Sequence, residues 1–149
     1  MTSGTKSKAR KCPECGGLLS QRSLKRTIIV GASKVRDNGR FRVPMCAACG
    51  YYELTQKQLS DSELSAALVV FCEASKVDGG ALKYARKALG LTQSELGREL
   101  GVESETVSRW ETGKMPITRM VQVAMAGLLK GNKANTAQTL EPAPVSRTG

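Results

Sequence analysis

The chain has 149 residues, which allows one ordinary domain or two small ones, and only 4% of the residues are aromatic, so neither core can be large. No apolar run approaches the roughly 18 residues of a bilayer-spanning helix, and the first residues lack the apolar segment of a signal peptide, so we expect a cytoplasmic protein. The net charge is +10, and residues 1–50 hold 11 Lys and Arg against 2 acidic residues.

Two C-x2-C-G motifs follow a polar, basic segment, residues 1–11, whose composition predicts a disordered tail. Thirty residues separate the motifs, and the two residues between the cysteines of each allow both sulfurs to reach one ion. The chain contains no histidine, so four thiolates would form a closed tetrahedral shell. We therefore predict one structural Zn²⁺ held by Cys12, Cys15, Cys46 and Cys49.

Two other interpretations of these cysteines stay open, a redox C-x-x-C motif and an iron centre with the same four ligands. The fifth cysteine, Cys72, lies in the apolar run LSAALVVFCEA. Free cysteine is commonly buried, so Cys72 is predicted to be a small core residue.

The segment between the motifs predicts a β-hairpin. Residues 24–35 are rich in β-branched side chains, Asp37-Asn38-Gly39 is typical of a hairpin turn, and residues 41–45 return as the second strand. Residues 51–55 could add a further strand. We predict a zinc-binding β-hairpin domain over residues 12–55, with arginines that face an acidic protein or nucleic acid, or only solvent.

A connecting helix is predicted next, within residues 56–79. Apolar residues recur at helical spacing between positions 61 and 75, and Val77-Asp78-Gly79-Gly80 interrupts the pattern. The domain boundary is placed there.

Residues 80–131 have the pattern of a helical domain. A first helix is predicted over residues 81–89, and a second begins at Gln93, because Thr92 and Glu95 have the spacing of a capping box. Gly101 suits a tight corner, and Gly113 ends a third, amphipathic helix. Periodicity alone allows either a helix that enters the DNA major groove or a helical hairpin with a solvated face.

The string L-T-Q-x-E-L-x-x-x-L-G-V-x-x-x-T-V-S-R-W-E-x-G-K closely resembles the Xre-like helix-turn-helix family of phage repressors. The resemblance implies binding to double-stranded DNA, with a phosphate contact from Gln93 and a further one from Lys114. Glu103 stands where the family commonly has Ser or Thr, so the recognition helix is predicted to be weakly capped or to start at Ser104. The resemblance implies that Ser104, Glu105 and Arg109 read base edges. Ser108 lies on the same polar face by helical spacing and is included in the predicted DNA-binding set.

Two of these residues have a more specific expected role. Arg109 can pair with the O6 and N7 atoms of guanine. Glu105 could accept from cytosine N4, or could be an exposed charge that only excludes wrong sequences. The resemblance also implies an ion pair between Arg86 and Glu111, which would fix the docking of the helices.

A last helix is predicted from Pro116 to about Lys130. Its apolar set exceeds what one short helix usually buries, so it either closes the core or also forms a dimer interface; the set comprises Val121, Ala124, Met125, Leu128 and Leu129. Residues 132–149 are predicted to be a disordered tail.

The order of these parts resembles MqsA-type antitoxins, also described as YgiT-type zinc-finger proteins. The predicted fold class is α+β, with a small four-cysteine zinc-ribbon β-domain followed by an all-α Xre-like domain. The resemblance implies a homodimer that represses its own operon and whose zinc domain binds a small toxin, usually a ribonuclease. The alternatives are a stand-alone zinc-containing regulator and a nucleic-acid accessory protein that uses its basic zinc ribbon. An enzyme is not expected, because no activated nucleophile or open metal position is apparent.

Overall fold

Four short strands precede five helices in the structure, a computed structural model that describes residues 9–37, 39 and 41–137, with side chains as far as residue 132. The predicted α+β class is confirmed. The tails before residue 9 and after residue 137, together with Asn38 and Arg40, lie outside the described residues. The elements are β1 (Leu19–Ser23), β2 (Thr27–Val30), β3 (Ser33–Arg36), β4 (Arg42–Cys46), α1 (Gln56–Glu73), α2 (Gly79–Ala88), α3 (Gln93–Leu100), α4 (Ser104–Glu111) and α5 (Arg119–Ala137).

The strands form two separate antiparallel pairs, β1 with β4 and β2 with β3. The predicted pairing of residues 24–35 with residues 41–45 is therefore wrong. The β2–β3 turn consists of Gly31 and Ala32, because Val30 is paired with Ser33. Gly31 has a φ of +60°, which suits the first position of a two-residue hairpin turn, so the β-branched segment folds back on itself. The predicted strand over residues 51–55 is reduced to one bridge between Tyr52 and Met45.

The β2–β3 hairpin packs into the core of the helical part. Val30 is completely buried in that core, and Ile28 and Val35 are packed against it. At the turn, the N–H of Ala32 donates to one carboxylate oxygen of Asp78 over 2.7 Å, and the other oxygen caps α2 by accepting from the N–H of Ala81. One aspartate therefore starts a helix and holds the hairpin turn against it.

Helix α1 belongs to the same core. Thr55 and Gln58 form a capping box, which starts α1 at Gln56, earlier than the periodicity predicts. Leu64, Ala67, Val70 and Phe71 are buried, and α1 packs against α2 and α5. The hydrophobic core is thus continuous across residues 79 and 80, where the domain boundary is predicted.

Helix α5 closes the core, although its buried face differs in part from the predicted one. Met125 and Leu129 are fully buried, whereas Ala124 is exposed. Gln122 is also buried, and its amide donates to the carbonyl oxygens of Phe71 and Ala74, the last of which follows the end of α1. Buried helix carbonyls need such partners, so Gln122 ties the two helices together. The helix continues to Ala137, beyond the predicted end at residue 130.

Candidate nucleic-acid interface and metal centre

The four cysteines of the two C-x2-C-G motifs lie together at one end of the β1–β4 pair. Cys12 and Cys46 are buried, and Cys15 and Cys49 are exposed. All four Sγ atoms lie within 4.8 Å of one another, including 3.6 Å for Cys12 with Cys49 and 3.4 Å for Cys15 with Cys46. A tetrahedral zinc site with bonds of about 2.3 Å places its sulfurs about 3.8 Å apart. The cluster therefore has the dimensions to hold one metal ion of this kind.

Two matching turns position the sulfurs. The N–H of Gly16 donates to the carbonyl of Cys12, and the N–H of Gly50 donates to the carbonyl of Cys46, each over 2.9 Å. Gly17 also lies close to the cluster, because a Cβ atom there would be 3.1 Å from the Cys46 sulfur and 3.3 Å from the Cys15 sulfur. Gly17 was not predicted to have a separate role, although two consecutive glycines after a C-x2-C motif are a recognisable signal.

The environment of the thiols favours a cation. The backbone N–H of Cys49 outweighs the effect of burial and lowers the pKa of Cys46 to about 7. At Cys49 the N–H of Tyr51 acts in the same direction, but burial and the three other sulfurs outweigh it and raise the pKa to about 12. Burial and the neighbouring sulfurs disfavour the Cys49 thiolate, and a divalent ion among the four sulfurs would favour it.

Cys72 does not belong to the cluster. It lies in α1 and is exposed, so its predicted place in the core is wrong. The apolar run around it misled the prediction, because α1 is covered on more than one side and its apolar residues do not form a single stripe.

Helices α3 and α4 are joined by a three-residue corner. The Thr92 hydroxyl caps α3 by accepting from the N–H of Glu95 and donates in turn to the Glu95 carboxylate. Gly101 ends α3 in the left-handed conformation, with φ of +70°. Inside α3, a Cβ atom on Gly97 would be 2.5 Å from the carbonyl oxygen of Val102. Gly97 therefore allows the corner to approach α3 closely, a role that was not predicted from the sequence.

Helix α4 has one buried and one polar face. Val107 and Trp110 are buried on the inner side. The helix starts at Ser104 without a side-chain cap from Glu103, in agreement with the weak cap that the sequence predicts. The three residues that the resemblance implies as base readers, Ser104, Glu105 and Arg109, are exposed on the outer side, and Ser108 on the same side is half-buried.

The outer face of α4 borders a groove. Its lining includes Glu105, Ser108 and Arg109 from α4, with Lys114 from the segment that follows. Thr112 and Met115 complete the lining, and neither was singled out from the sequence. The Thr112 hydroxyl donates to the carbonyl of Ser108, and the N–H of Met115 donates to the carbonyl of Arg109. These bonds fold the segment after α4 back along the helix and place Lys114 beside Arg109.

A polar network beneath this surface fixes the position of α4. The Arg86 guanidinium contacts both carboxylate oxygens of Glu111, and their side chains are only 11% and 4% exposed. Arg86 also donates to the carbonyl of Leu91 over 2.9 Å. The amide of Gln93 donates to Glu111 over 2.9 Å. The first residue of α3 is thus tied directly to the last residue of α4, and Arg86 of α2 joins that last residue to Leu91, which precedes α3.

The comparison with known protein families agrees with this geometry. Residues 82–130 match the helix-turn-helix family. The helical part of the chain is therefore similar in sequence to helix-turn-helix domains. The matched range contains every residue of the predicted DNA-binding set and both members of the Arg86–Glu111 pair, and it supports a DNA-binding transcription regulator. A search of curated proteins found no match to the chain.

No helix within the described residues is long and apolar enough to cross a membrane.

Proposed function

We propose that the protein is a sequence-specific DNA-binding repressor of transcription, and that the outer face of α4 reads the bases. The observation that carries the proposal is the exposed polar face of α4, held in place by the buried Arg86–Glu111 pair within a helix-turn-helix. A helix of this kind fits the major groove of B-DNA, where each base pair presents a distinct pattern of donors and acceptors. The activity is binding, without catalysis.

Each side chain would then have a separate task. Arg109 would donate to two acceptors of one guanine, and Ser104 and Ser108 would donate or accept at neighbouring base edges. Lys114 would meet a phosphate beside the groove. Gln93 donates one amide hydrogen to Glu111 and has a second for a phosphate at the start of α3, where the free N–H groups of the helix also favour an anion.

An Arg109→Ala variant tests this function. We expect it to lose about 1 to 3 kcal/mol of discrimination between the operator and unrelated DNA, while weak, salt-sensitive binding persists. The operator is first selected from a random pool with the wild-type protein, and dissociation constants are then measured across a salt series. Arg98→Ala, which removes an exposed arginine from α3, is the matched control. Unchanged discrimination in Arg109→Ala would contradict the reading role.

We also propose a homodimer that forms through α5. The predicted apolar face of this helix is largely used inside the core, but a second strip faces outward. Met120 and Val123 are 83% and 57% exposed, and Ala124 and Gly127 lie on the same strip at helical spacing. A two-fold dimer would present two copies of α4 to half-sites about one turn of DNA apart.

We further propose that the end of the molecule with the four-cysteine cluster binds a small toxin, so that the protein is the antitoxin of a toxin–antitoxin pair. Support comes from the resemblance of the chain to such antitoxins and from two exposed apolar side chains beside the cysteines, Leu18 at 63% and Tyr52 at 37% exposure.

Co-expression tests the antitoxin role. The product of a neighbouring gene should arrest growth alone, and this protein should relieve the arrest and copurify with it. Harmless expression without copurification would favour the stand-alone regulator.

A further inference from the structure

The cation expected to read guanine is already paired in the free protein. Arg109 donates to the carboxylate of Glu105 over 2.7 Å, one helical turn away on the outer face of α4. Both side chains are well exposed, 52% for Arg109 and 73% for Glu105. DNA that approaches this face therefore encounters an Arg109 that is already paired with a carboxylate, and not a free arginine.

The Glu105–Arg109 pair should affect binding to the operator and binding to unrelated DNA differently. An exposed pair at this spacing shifts an equilibrium by only about twofold, so DNA can break it easily. The larger effect is the carboxylate itself, since a negative charge beside the phosphate backbone opposes binding to every sequence. Only a base that donates a hydrogen can compensate Glu105, and cytosine N4 is such a donor in the major groove.

We propose that Glu105 is a specificity-determining residue that acts together with Arg109. On unrelated DNA its carboxylate remains beside Arg109 and weakens the attraction of α4 to phosphates. At the operator Arg109 turns to a guanine, and Glu105 accepts from a cytosine within its reach. Glu105 thus lowers the affinity for DNA in general and raises the ratio of specific to non-specific binding. This inference rests on the proposed DNA-reading function of α4.

The surroundings of the pair fit this role. Lys114 lines the same groove as the pair and supplies a cation for phosphate without taking part in the Glu105–Arg109 contact. Ser108 and Thr112 also line this groove, and the Thr112 hydroxyl donates to the Ser108 carbonyl of α4. Lys114 would thus attract the DNA backbone while Arg109 reads a base, and of these two cations Arg109 is the one paired with a carboxylate within the described part of the chain.

The test uses the full-length protein with Glu105→Gln and, as a matched control, Glu103→Gln. Both changes remove one exposed negative charge near the start of α4. Dissociation constants for the selected operator and for unrelated DNA are measured across a salt series. We expect Glu105→Gln to tighten non-specific binding, to steepen the salt dependence by about one phosphate contact and to reduce the specificity ratio by about 5- to 10-fold. Glu103→Gln should shift both affinities equally and leave the ratio unchanged.

A double-variant comparison separates action through Arg109 from a general charge effect. In an Arg109→Ala background, Glu105→Gln should change the specificity ratio by much less than it does in the wild type. An equal effect in both backgrounds, or a Glu105→Gln variant that behaves like Glu103→Gln, would overturn the inference while leaving the DNA-binding function intact. A wild-type protein without sequence preference would instead overturn the proposed function and this inference together.

Discussion

At the scale of single residues, Gly31 has the most demanding position outside the two candidate sites. Its φ of +60° is in the left-handed region, and a Cβ atom there would lie 2.1 Å from the Asp78 carboxylate and 2.5 Å from the backbone nitrogen of Ala81. A side chain at this position would therefore be strained and would also push the hairpin turn away from α2.

Gly31→Ala should reduce the free energy of unfolding by about 2 to 4 kcal/mol, because backbone strain adds to the loss of the turn contact. Gly90→Ala is the matched control. Gly90 also has a positive φ, of +71°, but a Cβ atom there would meet nothing within 4 Å, so we expect a loss of only about 1 kcal/mol. Urea titrations of the two variants measure the difference. Equal losses would mean that the contact with Asp78 contributes little.

At the scale of elements, the helices were more predictable than the strands. The capping residues Thr92 and Gly101 act on neighbours within one turn, so the sequence alone predicted the start of α3 and the corner after it. Strand pairing depends on residues far apart in the chain, and the Asp37-Asn38-Gly39 turn signal misdirected it. The glycine at position 31 carried the competing signal, and nothing local indicated which turn would prevail.

The candidate sites show the same contrast. The spacing of the cysteines was enough to predict that they meet, because two C-x2-C motifs together supply the four ligands of one tetrahedral ion. The Glu105–Arg109 pair follows from i,i+4 spacing and could have been predicted. The bond from Gln93 to Glu111 could not, because it depends on how closely α3 and α4 pack, which Gly97 sets.

At the scale of the whole molecule, the two motifs that bring the cysteines together enclose a segment that packs elsewhere. The β2–β3 hairpin lies between Cys15 and Cys46 in sequence, yet its apolar side belongs to the core of the helices. The cysteine cluster has a separate small core of Cys12, Leu19 and Cys46, with Tyr51 against it. A bound ion would therefore close a loop whose middle is anchored in the helical part.

Cys46→Ser should abolish metal binding and loosen β1 and β4, because their small core is too limited to persist without the ion. The helical part should keep its far-ultraviolet signal. Metal content per chain and hydrogen exchange across both strands measure these effects, with Cys72→Ser as the control, since Cys72 is exposed and lies outside the cluster. Simultaneous melting of strands and helices would show that the β1–β4 pair and the helical part unfold as one unit.

The placement of the hairpin also sets an order of events during synthesis. The ribosome makes β2 and β3 before any of the helices that cover them, and Leu129 of the same core follows about a hundred residues after Val30. A lone two-stranded hairpin is at best marginally stable in water, so its apolar side lacks cover until α1 and α2 have been made. The cysteines, by contrast, are complete once residue 49 has left the ribosome. Metal capture can thus precede helix folding, and the earliest-made strands reach their final packing late.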